Sequence, residues 1–164
     1  MNYNTTSELL DIIRPFVEDR YILEPQNTTW RLKKYISDLV TIDEENHVGF
    51  EVFDNEIIFF YFTEHCHFED YTSDLEDDEP DYIERAKAFL VDLFSCKITQ
   101  QKQYKGNTLI SEKYIFTYPD GTTDCPDGPW IHGILVRLVP FLPERMEEKS
   151  WLFDKNKGCF TEID

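Results

Sequence analysis

Between Lys34 and Arg85 this 164-residue chain has no lysine and no arginine. That gap argues against nucleic acid as a partner of the segment, because affinity for phosphates rests on cationic side chains that displace counterions. Glycine is scarce, six in all and dispersed, and neither G-x-G-x-x-G nor a phosphate loop occurs. Nucleotide sites of those kinds need bare backbone against the phosphates. G-x-S-x-G and H-E-x-x-H are missing too, which removes the strained hydrolase elbow and the zinc-protease helix. The four cysteines, Cys66, Cys96, Cys125 and Cys159, form no C-x-x-C pair. They read as reduced, mostly buried thiols, neither a disulfide framework nor a zinc knuckle. No apolar run approaches the roughly 18 residues of a spanning helix, and the longest, Ile57 to Phe62, has strand length. The opening MNYNTTSELLDIIRPF has no basic or apolar leader pattern, so a cytoplasmic, soluble protein without a signal peptide is expected.

What is present is ample apolar material and a segregated charge. Hydrophobic residues make up 41% and aromatics 15% of the chain, enough for a packed core and against global disorder. No repeat or long Gly/Ser-rich or Pro-rich linker interrupts it, so one continuous domain is expected over residues 1–164. The net charge is −17, from 33 acids and 16 bases. Residues 35–84 hold 17 of the acids, and the other 114 residues hold 16 of each sign. Solubility alone does not need that confinement. A concentrated field attracts a cationic partner and repels nucleic acid, and crowded like charge destabilises the compact state. The plain alternative is a solvated acidic loop.

Periodicity gives the elements. Thr5, Thr6, Ser7 and Glu8 resemble a capping box, and Leu9, Ile12, Ile13, Phe16 and Val17 recur at helical spacing, with a kink or an early break expected at Pro15. A second helix is expected after Asn27-Thr28-Thr29, carrying Trp30, Arg31, Lys33 and Lys34 ahead of Tyr35, Ile36, Leu39 and Val40. From Val48 the period falls to two. Val48 to Val52, a turn at Asp54-Asn55 and Glu56 to Thr63 predict an antiparallel hairpin. A further helix starts near Pro80 and buries Ile83, Ala86, Leu90, Leu93 and Phe94. Strands follow over KITQQKQYK and Thr108 to Tyr118, joined at Gly106-Asn107. Trp130 to Val139 suits a strand or a short helix, Pro143 to Phe153 a helix, and Gly158 to Asp164 a short strand. The fold class expected is α+β, an antiparallel sheet with helices packed on one side.

The chemistry concentrates in HCHFEDYTSDLEDDEPD, residues 65–81. A strand running on to residue 67 would put His65 and His67 on the face of Tyr61 and Thr63, with Cys66 opposite. Cys66 is then no partner for either imidazole, and no nucleophile–base pair is expected. Two histidines at i and i+2 lack a third ligand fixed by spacing. Glu69 or Asp70 could add an oxygen, and His47 or His132 a nitrogen. No metal or cofactor is therefore assigned, and a metal protein or enzyme using His65 and His67 stands as the alternative. Residues 70–81 also lack the central glycine and oxygen spacing of a calcium loop. The carboxylates themselves suggest a docking face. Glu69, Asp70, Asp74, Glu76, Asp77, Asp78, Glu79 and Asp81 would meet cations of a basic protein, with Phe68 and Tyr71 as apolar anchors. Neither nucleic acid nor membrane is expected as a partner.

With its acidic segment Glu64 to Glu84 and its hairpin Val48 to Phe62, the chain resembles the immunity proteins of bacterial polymorphic-toxin and contact-dependent inhibition systems in size, charge and element order. That resemblance implies a stoichiometric inhibitor whose acidic surface covers the active site of a basic toxin domain, often a nuclease. A second alternative is an adaptor whose acidic face mimics nucleic acid toward a DNA-binding protein.

Overall fold

The computed structural model describes residues 3–23, 26–29, 36–69, 81–126 and 128–163. Contacts gather into two compact units, Met1–Phe94 with Asp154–Phe160, and Ser95–Phe153 with Thr161–Asp164. The fold is α+β with antiparallel sheets and helices.

In the first unit a five-stranded meander runs in chain order: β1 (Gln26–Thr29), β2 (Ile36–Asp43), β3 (Val48–Val52), β4 (Glu56–Tyr61) and β5 (Glu64–Glu69). Helix α1 (Tyr3–Ile13) precedes it and α2 (Tyr82–Ser95) follows, with Ser95 already in the second unit. Residues 36–43 are thus a strand where a helix was expected. Ile36, Leu39 and Val40 fit helical spacing, but Asp38, Val40 and Ile42 fit period two equally, and ladders to β1 and β3 decide the matter. Helix α1 opens two residues before Thr5, so Thr5 is no cap. Thr5 and Thr6 are buried within the helix, and Thr6 Oγ1 donates to Asp38 Oδ2 at 3.1 Å. The helix stops before Pro15, as the missing amide requires.

One face of this sheet is covered. Val40, Phe50, Val52, Ile57, Phe59 and Tyr61 are buried there. Phe89 of α2 lies 5.3 Å from Phe59 and 5.6 Å from Tyr61, ring to ring. Asp38 shares the face, since it pairs with Val52, so α1 reaches the sheet on the side that α2 does. The turn 154–160 closes the unit. Buried Asp43 accepts from the backbone of Phe160 at 2.7 Å and of Asn46 at 3.1 Å, and the Phe160 ring stands edge-on to Phe62. Gly49 marks a bulge between β2 and β3: a Cβ there would fall 2.3 Å from the Val40 carbonyl oxygen.

The second unit is built on β6 (Lys97–Lys105) and β7 (Thr108–Thr117), joined through Gly106 at φ 59°. Next along the chain come β8 (Thr123–Asp124), β9 (Trp130–Ile131) and α3 (Ile134–Arg137). The chain then runs through β10 (Glu144–Asp154) to β11 (Cys159–Ile163). The strand order is β11-β10-β6-β7-β8, and β9 also pairs with β7. Residues 144–154 are a strand where a helix was expected. ERMEEK is helix-forming in composition, but eight residues from Glu144 to Trp151 pair with β6. Arg145 lies 4.0 Å over the Tyr104 ring and Gln101 Nε2 donates to Glu148 at 2.6 Å, so tertiary pairing overrides propensity. No described helix is long and apolar enough to cross a membrane. Cys96 is buried, and Cys66, Cys125 and Cys159 are half-buried, less enclosed than expected.

Candidate functional site

The chain turns at Phe62 and Thr63, where Phe62 adopts φ 54°, and β5 returns antiparallel to β4. The strand does not run straight on to residue 67. His65 pairs with Phe60, His67 with Ile58 and Glu69 with Glu56, so these six side chains share the face that the helices leave uncovered. The histidines therefore do not share the face of Tyr61. Cys66 pairs with Phe59 and points the other way, as alternation requires.

On that face the ligand atoms of Glu56, His67 and Glu69 all lie within 4.8 Å of one another. His67 Nδ1 sits 2.5 Å from Glu56 Oε1, and the His65 and His67 rings are 5.0 Å apart, edge to face. Both histidines are exposed, and the two glutamates half-buried. Sequence reasoning places His65, His67 and Glu69 near each other but misses Glu56. Its proximity comes from hairpin register, set by a turn at Phe62 that no glycine announces. Further along this face, over Gly49, is a shallow hollow lined by Thr41, Glu44, His47 and Phe60.

Of the expected docking residues, Glu69 belongs to this cluster. Phe68 turns toward the helix-covered side, 5.6 Å from both Phe59 and Phe89, so its ring belongs to the aromatic core cluster and does not stand out as an anchor. Asp81 precedes α2 and accepts the Glu84 amide at 2.9 Å, a cap of that helix. Asp70, Tyr71, Asp74, Glu76, Asp77, Asp78 and Glu79 lie outside the described residues.

A second feature is apolar. Between Trp130 and Met146 most large hydrophobic side chains face solvent, Val136 being half-buried: Ile134 is 67% exposed, Leu135 80%, Leu138 75% and Phe141 92%. Helix α3 is inside out. Its one cation turns inward, where Arg137 Nη2 donates to the Ile110 carbonyl of β7 at 2.9 Å, while Ile134 and Leu135 point away. Lys105 Nζ holds the same turn by donating to the Arg137 carbonyl at 2.8 Å. The apolar composition of Trp130 to Val139 predicts a strand or a short helix there, but composition alone does not say whether the chain covers it. Neither a family model, nor a curated protein, nor a solved structure matches this chain.

Proposed function

We propose that this chain is a protein-binding module. It captures a basic protein, and the specific form favoured is an immunity protein that occludes a cationic toxin domain. The observation that carries the reading is the outward apolar face of 130–146, fixed to its sheet by an inward arginine. Side chains such as Leu135 and Phe141 each gain about 1.5–3 kcal/mol on full burial, and solvated proteins seldom leave many of them together in water. A second copy of this chain is disfavoured as occupant, because self-association would bring two charges of −17 together. A basic partner is drawn by the same field. The acidic segment speeds encounter and the apolar side chains slow release.

The test is capture from source cells by the wild-type chain and by Leu135→Glu/Phe141→Glu, at low and high salt. The captured protein is then purified and titrated. A basic protein bound one-to-one, with an association rate that falls steeply with salt and binding lost in the folded variant, is expected. Wild-type dimers in sedimentation that the same variant dissociates would replace this reading with self-association.

A further inference from the structure

We propose that Glu56, His67 and Glu69, with His65 as a neighbouring ligand, form a site for a divalent transition metal of the zinc class. The inference stands apart from the apolar face and survives if no protein partner exists.

Hairpin register brings the groups together. Glu56 and Glu69 are directly opposite across β4 and β5, and His67 is two residues before Glu69 on the same face. Like charges in that arrangement destabilise a sheet unless a cation joins them. Among the described residues neither carboxylate has a lysine or arginine partner; His67 alone bridges to Glu56. A divalent ion would replace that single contact with bonds to both carboxylates.

The donor set chooses the class. Imidazole nitrogen with carboxylate oxygen suits zinc, and other late first-row ions, better than calcium or magnesium, which favour oxygen alone. Thiolate takes no part, because Cys66 faces the other side of the sheet. Around tetrahedral zinc, with bonds of about 2.0–2.2 Å, ligand atoms sit roughly 3.3 Å apart. The atoms here spread over as much as 4.8 Å, so rotamer changes must close a gap of about 1.5 Å. Exposed and half-exposed side chains on a firm hairpin can make that change. The ring of His65, 5.0 Å from that of His67, is placed to give a second nitrogen, and water completes the shell. The exposed imidazoles of His65 and His67 give the ion a direct path from solvent.

The experiment is zinc titration by calorimetry on untagged, chelator-treated protein, with cobalt absorption as a second readout. One ion per chain is expected, with ligand-field bands of low coordination number. His67→Ala and Glu56→Gln should each weaken binding at least tenfold, and His65→Ala less, while His132→Ala, in the second unit, leaves it unchanged. Circular dichroism and melting confirm that each variant is folded. Glu56→Gln guards against misreading, since Glu56 lies outside the acidic run 69–81. Zinc binding that survives both Glu56→Gln and His67→Ala is diffuse attraction to that run and overturns the proposal. So does a wild-type chain that binds no zinc.

Discussion

Helices α2 and α3 are built from similar side chains and do opposite things with them. In α2 the apolar stripe Ala86, Phe89, Leu90, Leu93 and Phe94 is buried and Glu84 faces out. In α3 Ile134 and Leu135 face out and the arginine faces in. Each helix has an arginine on a strand carbonyl, Arg85 on Glu69 at 3.3 Å and Arg137 on Ile110 at 2.9 Å. Each of those guanidinium groups also has a buried Nε without a hydrogen-bond partner among the described residues. The shared anchor shows that α3 is docked in a defined orientation, so its exposed leucines are not the result of a loose segment. Apolar residues at helical spacing say that a face will be covered. They do not say by which molecule.

The contrast breaks most visibly at paired leucines. Leu93→Ala removes a side chain that is 1% exposed, and urea unfolding should show a loss of about 2–5 kcal/mol. Leu135→Ala, at 80% exposure, should change stability by less than about 0.5 kcal/mol while weakening partner capture. If both substitutions destabilise alike, α3 is packed in solution and the apolar face does not exist.

Next in size is the tether. Arg137→Ala takes a charged donor from the Ile110 carbonyl, a loss of about 1.5–3 kcal/mol where such a bond is well formed. Hydrogen exchange should quicken over 130–142 and leave α2 untouched. Equal protection in the variant would mean that other contacts orient α3.

Capping separates the helices further. Asp81 holds the first turn of α2 through the Glu84 amide, whereas α3 opens at Gly133, φ 53°, with no side-chain cap. Asp81→Ala should cost about 1 kcal/mol, read from the shift in urea midpoint. Asp81→Asn, which keeps an acceptor oxygen, should restore most of it. An unchanged midpoint in the alanine variant would leave α2 held by packing alone.

Most of α2 is legible in the sequence, because its five predicted apolar positions, Ile83, Ala86, Leu90, Leu93 and Phe94, follow one period and include four of its five buried residues. The hairpins at Asp54-Asn55 and Gly106-Asn107 are legible for the same kind of reason: turn residues flanked by strand patterns. Residues 36–43 and 144–154 are not, since their local pattern or composition admits a helix and only their ladders to β3 and β6 impose a strand. The candidate site is half legible. His65, His67 and Glu69 stand out by type, but Glu56 joins them through a turn at Phe62, a bulky residue in a backbone region that sequence reasoning reserves for glycine or asparagine. The outward apolar face is invisible for a deeper reason. Burial is a property of the assembled structure, and the same residues would read identically inside a core.

The smallest effect concerns how α2 meets its neighbour α1. Lys87 Nζ lies 2.9 Å from Glu8 of α1 and 2.8 Å from Glu84 one turn back. Hydrogen bonds to Glu84 and Glu8, and their charges, hold the ammonium above its ordinary value of 10.5 against a smaller desolvation effect. A lysine whose folded value is raised contributes stability that is fully present below its unfolded value and fades as pH rises through the folded one. Melting temperature should therefore fall between neutral pH and the alkaline side of 10.5 by slightly more in the wild type than in Lys87→Met. The two curves should converge at the alkaline end. Helix α3 has no comparable inter-helix ion pair among the described residues, so exchange protection over 130–142 should show no such difference between the two proteins across the same range. Parallel melting curves would mean that the Glu8–Lys87 pair is too well solvated to couple α1 to α2.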